Sequence, residues 1–399
     1  MKIVHISIYP PKGKKHSFTG GVASYTKNLV TNIPYQTTDT VFVLCDKVND
    51  FEEYTEDGIK IIRCFERNIK FFFQVFKNIK KIKPDVIHFQ QELSLYGNMV
   101  NAYLLQWLIF LFKAQNVIVT LHGVVSLKKI DKRFVTENNS QIPVVIVKQA
   151  FKIFFKPICL WATKIVVHEE CFKNVLIEEY GVKSSKIEVI AHGVEDFKTI
   201  RKIEACASLD LDCKKDIVLF MGYLTGYKGL DLLIEGFSVY SKVNPNSFLI
   251  IGAGKHPKLF NDKRYLSGYN RIKTKAGEII ANNQYRWVGF IDEKDITNYY
   301  SASDLSVFPY TIQMSSSGPM MIAIGQEKPF LASDVFREVL KNDRVIFEKK
   351  KESLALRLEN FFSNQDSFYD YVKKIKSKRR WSSIGKITLN LYHEITCVE

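Results

Sequence analysis

The chain of 399 residues is short of several patterns that would have placed it at once. Its seven cysteines, at 45, 64, 159, 171, 206, 213 and 397, form no C-x-x-C pair and no regular spacing. That argues against a disulfide framework and predicts reduced, mostly core thiols in a cytosolic protein. No run reaches the roughly 18 apolar residues that a membrane-spanning helix needs. Residues 104–112 are too few, and 142–162 are interrupted by Lys148, Lys152 and Lys156. The first ten residues alternate and soon meet Pro10, which predicts a first strand and not a signal peptide. There is no G-x-G-x-x-G, so a dinucleotide site is unsupported. There is no G-x-S-x-G nucleophile elbow, no His/Cys/Asp/Glu set with convincing metal-ligand spacing, and no repeat or low-complexity segment. From Thr311 to Gln326 there is not one Asp or Glu.

Positive charge is plentiful and uneven. The net charge is +15, and residues 60–165 hold 17 Lys/Arg against 5 Asp/Glu, which places +12 of it in about a quarter of the chain. Such a surface suits a negative partner: nucleic acid, anionic lipid or a phosphorylated substrate. Apolar content of 46% and charged content of 25% are those of a globular protein, and the length predicts two domains.

Short β-branched runs recur with helical patterns between them. KIVHISIY, TVFVLCD, DVIHFQ, NVIVTLHG, KIVVHE and KIEVIAHGV read as strands of the first half; DIVLFMGYL, SFLIIGAG, YRWVGFI, DLSVFPY and PFLASD read as strands of the second. Continuous apolar strands alternating with helices predict α/β folding with parallel sheets covered on both faces. Residues 195–215 break the rhythm and read as a linker. The predicted organisation is two doubly wound, Rossmann-like domains facing a cleft: 1–195, 196–375, and a last helix over 376–399. In such sheets ligands bind beyond the carboxyl ends of the strands.

Gly20 and Gly21 follow the first strand and precede the first helix. They are either a tight turn or a loop that lets backbone N–H groups approach an anion. His122 and His88 lie at or near strand ends; with Gln91 and Glu92 they either line the cleft or are satisfied core residues. Lys228-Gly229 starts an amphipathic helix after the strand ending at Gly222 and Tyr223. A cation there is disfavoured by the helix dipole unless a phosphate is bound beside it. Gly252-x-Gly254 ends a strand at the same sheet edge. Ser315-Ser316-Ser317-Gly318-Pro319 then begins another helix, with proline where its missing N–H costs nothing and a serine cap. That is a second candidate anion site. Asp210-x-Asp212 has a spacing seen at some metal sites but reads as a solvated turn.

In this order the motifs resemble the retaining glycosyltransferases of the GT-B fold, specifically family 4 ("glycosyl transferases group 1"). The similarity runs through GGVASYTKNL, DVIHFQ, VTLHG, KIEVIAHGVED, GYLTGYKGLDLLIEGF, LIIGAG, WVGFIDEKDITNYYSASDLSVFPY, KPFLASD and the final RRWSSIGKITLNLY. The resemblance implies metal-independent, configuration-retaining hexosyl transfer from a nucleotide-sugar, without a cofactor, to a glycan or lipid-linked acceptor in glycan assembly. It implies that Lys228 binds the donor diphosphate and that His122 lies near the donor sugar. It places Gly20, Gly21, Ser316, Ser317 and Gly318 around sugar and phosphate, and Gly289 and Ile291 near the base. Three departures stand out. Tyr223 falls where relatives carry a phosphate-binding arginine, and Met314 and Ile322 fall where relatives carry paired glutamates. A non-catalytic partner subunit and a sugar epimerase on the same fold are the alternatives. The basic segments 67–83 and 147–161 mix Lys with Phe, Ile and Trp. They are either membrane-surface helices, making the protein peripheral on an anionic membrane, or core-facing helices with solvated lysines. Nucleic acid is not expected, because no recognised binding module is present.

Overall fold

The computed structural model describes residues 1–14, 21–137, 141–256, 259–313 and 315–397. It divides into two compact units: 1–193 with 314–316 and 379–399, and 194–313 with 317–378.

The first unit is built on eight strands: β1 (Lys2–Ile6), β2 (Thr40–Asp46), β3 (Glu52–Glu56), β4 (Ile59–Phe65), β5 (Val86–Gln91), β6 (Asn116–Leu121), β7 (Lys164–Val167) and β8 (Ile187–Val189), in the order 3-4-2-1-5-6-7-8. All pairs are parallel except β3 with β4. That hairpin was not anticipated. Its turn is Asp57-Gly58, both at positive φ (52° and 78°), the Asp-Gly signal of a two-residue hairpin. One face of this sheet carries a buried polar stripe. His5 pairs with His88 across β1 and β5, and Gln90 with Thr120 across β5 and β6.

The Trp381–Thr396 helix packs against the Gly21–Asn32 helix over that sheet. Trp381, Ile384, Leu391, Tyr392 and Ile395 share a core with Ile3, Tyr25, Leu29 and Ile33. At Gly385 a Cβ would collide with the Asn32 carbonyl, so glycine sets how closely the two helices approach.

The second unit is a six-stranded sheet: β9 (Asp216–Tyr223), β10 (Ser247–Gly254), β11 (Tyr285–Trp287), β12 (Leu305–Phe308), β13 (Phe330–Ser333) and β14 (Ile346–Phe347), in the order 11-10-9-12-13-14. All its pairs are parallel. The order reverses between β9 and β12, so ligands are expected beyond the ends of these two strands.

The 195–215 segment is not a linker. Residues Lys202–Ser208 form a helix that packs on the Ile296–Ala302 helix, with Ala205 and Cys206 buried. Lys202 bonds both oxygens of Asp304 at 2.7 Å. The Asp210–Asp212 turn is as expected: Asp210 has φ 51°, and Asp212 accepts from the Lys214 N–H.

Candidate functional site

Beyond β9 the chain makes one 3-10 turn, Gly226–Lys228, and enters the Leu230–Val243 helix through Gly229 at φ 66°. A Cβ at Gly229 would collide with the Pro309 carbonyl oxygen, which brings the ends of β9 and β12 together. This places Lys228 at the switch point of the second sheet. Its side chain is buried, with 8% of the residue exposed. Nζ donates to Tyr310 Oη at 2.9 Å and lies 4.9 Å from the centre of the Tyr310 ring. Among the described residues no carboxylate pairs with it. Burial lowers its pKa, with only Tyr227 opposing. Gly222 (φ 146°) belongs to the same cradle, since a Cβ there would come within 2.9 Å of Nζ.

The hydrogen-bond directions follow from the donor inventory. An ammonium only donates, so Tyr310 Oη accepts from Lys228, and the same hydroxyl shares a hydrogen bond with Ser317 Oγ, 2.7 Å away. Ser317 caps the Gly318–Gly325 helix by accepting from the Met320 N–H. Pro319 lacks an N–H, and Met320 and Met321 donate to Ser317. Gly318 is thus the first-turn donor not consumed inside the helix. A buried cation and a helix start with a spare first-turn N–H are features that suit an anion.

The other predicted donor-side residues divide. Tyr223 stacks on Phe290 (5.6 Å, 16°) and touches His256 edge-on. Gly289 has φ 77°, which bends the chain into Phe290. Gly254 packs under Phe290, whereas Gly252 and Ile291 pack on each other inside the core. The last pair therefore serves packing, because Ile291 is buried and a Cβ at Gly252 has no room. Ile322 is half-buried against the core. Gly20 and Met314 lie outside the described residues, and Gly21 is the first residue of its helix.

Ser316 departs from expectation. It falls in the first unit, where its Oγ donates to Glu169 Oε1 at 3.3 Å, while Ser315 bridges Gly123. The serine run thus splits: Ser316 meets a carboxylate, and Ser317 meets Tyr310 and caps the Gly318–Gly325 helix. Glu169 is almost fully buried and paired with Arg379 at 3.0 and 3.1 Å. Burial nevertheless raises its pKa, with Arg379 and Ser316 opposing.

In the same unit His122 follows β6 and is buried. Its Nδ1 lies 3.3 Å from His168 Nε2 and its Nε2 lies 2.9 Å from Gln90 Oε1. His168 Nδ1 faces the Ile190 carbonyl at 3.0 Å, so that nitrogen carries a proton. Burial holds His168 at about 3 and His122 well below the ordinary histidine value, so both rings are neutral. His168 Nε2 then accepts, His122 Nδ1 donates to it, and His122 Nε2 needs a donor. Gln90 Nε2 has no partner in the orientation drawn. Turning the Gln90 amide satisfies both groups, and the four residues become one ordered chain. Tyr25 sits at the hub, its ring 4.6 to 5.2 Å from His122, His168, His192 and Trp381. In this structure His122 is a neutral ring with both nitrogens engaged, the core-histidine alternative of the sequence reading.

His88 does not line a ligand site. It lies inside β5, with Nδ1 bonded to Tyr392 Oη and Nε2 to Thr120 Oγ1, both at 2.7 Å. It fastens the Trp381–Thr396 helix to the sheet. Gln91 is buried as well, bonding the Glu92 carbonyl, and Glu92 is exposed. Sequence reasoning passed over His168, Glu169, Arg379, Tyr310 and Tyr25. Of these, His168 carried a signal: VVHE ends a strand in histidine as TLHG does. Among the described residues no three His, Cys, Asp or Glu side chains converge as a metal site requires, and no helix is long and apolar enough to cross a membrane.

Residues 19–196 match the family model of Glycosyltransferase Family 4, and residues 202–382 match that of Glycosyl transferases group 1. A mannosylfructose-phosphate synthase of Agrobacterium fabrum is 28% identical over 236 residues, 55% of this chain and 50% of the relative. The chain thus spans about half the length of that curated relative. Among solved structures, the sucrose-phosphate synthase of Thermosynechococcus elongatus superposes with a TM-score of 0.75 at 16% identity, covering 100% of both chains. Anabaena HepE in complex with UDP-glucose gives 0.67 at 15% identity, covering 99% of both. These likenesses establish the two-domain GT-B architecture.

Proposed function

The chain belongs to the group 1, family 4 glycosyltransferases, and from that premise we propose that it transfers a hexose from a nucleotide-diphosphate sugar with retention of configuration. The observation that carries this reading is Lys228. A buried ammonium whose polar partner among the described residues is a tyrosine hydroxyl, with that tyrosine's ring beside it, is electrostatically incomplete. A diphosphate completes it, helped by the Ser317 hydroxyl and the Gly318 N–H. The similarity to a synthase of a sugar phosphate and to a protein solved with UDP-glucose supports a sugar nucleotide as the ligand.

In the proposed reaction the bond from the anomeric carbon to the diphosphate oxygen breaks and its electron pair stays on that oxygen. The acceptor oxygen bonds to the same face of the anomeric carbon. The acceptor's proton passes to the leaving phosphate oxygen, so neither an enzyme nucleophile nor an enzyme base is consumed. Charge grows on the leaving diphosphate in the transition state, where Lys228 and the Gly318–Gly325 helix start are already oriented. Preorganised donors of this type contribute roughly a hundredfold to a thousandfold each. With that charge supplied by the chain, the reaction proceeds without a divalent metal.

The acceptor is proposed to be a glycan or a lipid-linked sugar in glycan assembly. The test is a panel of nucleotide-sugars incubated with candidate acceptors, with and without chelator. Release of nucleoside diphosphate, and a product whose anomeric proton has the donor's configuration, is expected. No release with any donor would favour a non-catalytic partner subunit, the reading that Tyr223 and Ile322 motivate. A converted sugar without acceptor would favour an epimerase.

A further inference from the structure

The Met99–Leu111 helix is inverted for a surface helix of a water-soluble unit. It contains no charged residue, and its two amide side chains point inward. Asn101 is buried and donates to the Tyr96 carbonyl. Gln106 is buried and donates to the Ile153 and Phe154 carbonyls of the Val144–Trp161 helix. Pro157 has no N–H to offer Ile153 one turn before it, so Gln106 supplies the missing donor. What remains to face outward is apolar: Met99, Val100, Leu111 and Trp107, the last 54% exposed. An outward helix face normally carries the polar residues.

The Val144–Trp161 helix continues that face. Tyr103 Oη donates to its Ala150 carbonyl at 3.0 Å, and Trp161 packs on Trp107 and Phe110. Val145 is 76% exposed and Leu160 69%, with Ile146 and Ile153 exposed between them. Along the same helix Lys148, Lys152 and Lys156 recur every fourth residue and flank this stripe. Neither helix contains a carboxylate.

We infer that this two-helix face docks on a bilayer surface containing anionic phospholipid. Charge selects that occupant. A second copy would set these lysines against their own equivalents, a repulsive pairing. Aliphatic and Trp side chains beside lysines match the interfacial zone, where the apolar groups enter the headgroup boundary and the ammonium groups meet phosphate. The Phe71–Ile82 helix, the other candidate of the sequence reading, mainly follows its core-facing alternative, with Phe71, Val75 and Ile79 buried. The inference does not depend on the transferase reading, because it is tested by binding alone.

The experiment uses the full chain and flotation with phosphatidylcholine vesicles, with and without phosphatidylglycerol, at low and high salt. Binding is expected only with phosphatidylglycerol, weakened by salt, and accompanied by a blue shift of tryptophan emission. Ile146→Glu and Leu160→Glu, both at exposed positions, are each expected to weaken binding about tenfold or more while the melting temperature is unchanged. Lys148→Gln with Lys152→Gln and Lys156→Gln is expected to weaken it comparably and to flatten the salt dependence. Three results would overturn the inference: no binding to anionic vesicles, equal binding to neutral ones, or binding indifferent to all these substitutions. Sedimentation showing a dimer that Leu160→Glu dissociates would assign the face to a second copy instead.

Discussion

Replacing Lys228 with methionine tests the candidate site most directly. Methionine keeps the length and the apolar stem of the side chain and removes only the charge. In the free protein that charge is carried at a cost. Burying an unpaired ammonium costs several kcal/mol even after relaxation. The Tyr310 hydroxyl returns about 1.5–3 kcal/mol and the Tyr310 ring about 1–2 kcal/mol, which leaves a deficit. Tyr310 keeps its bond to Ser317 in the variant, so no new polar group is stranded. The free variant is therefore expected to melt no lower than the parent. The ligand response should differ sharply. At a nucleoside diphosphate concentration of about 100 times Kd the parent gains about 2.7 kcal/mol. At about 2–4 °C per kcal/mol for a unit of this size, that is roughly 5–10 °C. Losing a charged hydrogen bond worth about 1.5–3 kcal/mol weakens binding roughly tenfold to a hundredfold. At the hundredfold end the same concentration yields only about 0.4 kcal/mol, a shift of about 1 °C. The assay is thermal unfolding with UDP, GDP, ADP and pyrophosphate. An undiminished shift in the variant would refute the site. A free variant melting several degrees lower would show that the fold already satisfies the ammonium. A pH series adds a sign. Burial lowers the Lys228 pKa, so the unfolded chain keeps this proton to higher pH than the folded one. The contribution to stability therefore rises with pH across the window between the lowered value and the ordinary lysine value. The variant should lack that rise.

Other expectations concern how the units are held. Gly229→Ala combines a positive φ with a collision at the Pro309 carbonyl, and should cost about 3 kcal/mol or more by chemical denaturation; a loss under 1 kcal/mol would contradict the packing. Arg379→Met strands the buried Glu169 carboxylate and should cost about 3–5 kcal/mol at neutral pH. Part of that loss is recovered by acidification that protonates Glu169, and Glu169→Gln in the same background should recover it at neutral pH. Burial holds His5 and His168 at about 3, so the unfolded state takes up their protons first as pH falls below the ordinary histidine value of 6.5. Each then withdraws stability with a slope approaching about 1.4 kcal/mol per pH unit. The second unit contains one histidine, His256. Hydrogen exchange should find the first unit opening at higher pH than the second, and coincident openings would refute this.

The alternation of apolar runs with helical patterns was enough to place both parallel sheets, because doubly covered strands need little polar patterning. Lys228 stands out in the sequence for a different reason: a cation at a helix start conflicts with the dipole. Its partner does not, since Tyr310 lies 82 residues away and its role depends on two strands meeting. His88 misled for a related reason. Every residue of β5 is buried, so the sequence gives no polarity from which to tell the ligand edge from the face that receives Tyr392. The Glu169–Arg379 pair, 210 residues apart, had no local signature at all. The 195–215 segment reads as a linker because its charged residues outnumber the two that enter the core, Ala205 and Cys206. The β3–β4 hairpin has its Asp-Gly turn in the sequence, but β3 (EEYTE) carries no apolar run and is mostly exposed.

The helix Trp381–Thr396 completes a core begun by Ile3. During synthesis the strands of the first sheet and the Gly21–Asn32 helix emerge early, yet the part of that face which receives the last helix stays uncovered until residue 396 has been added. The second unit is closed by residue 378. The usual order in which domains mature on the ribosome is therefore reversed for completion. The first sheet waits for some 200 further residues, roughly 10–40 s at about 5–20 residues per second. Throughout that interval its buried histidines and the apolar face beneath the last helix are open to water, to chaperones and to other nascent chains.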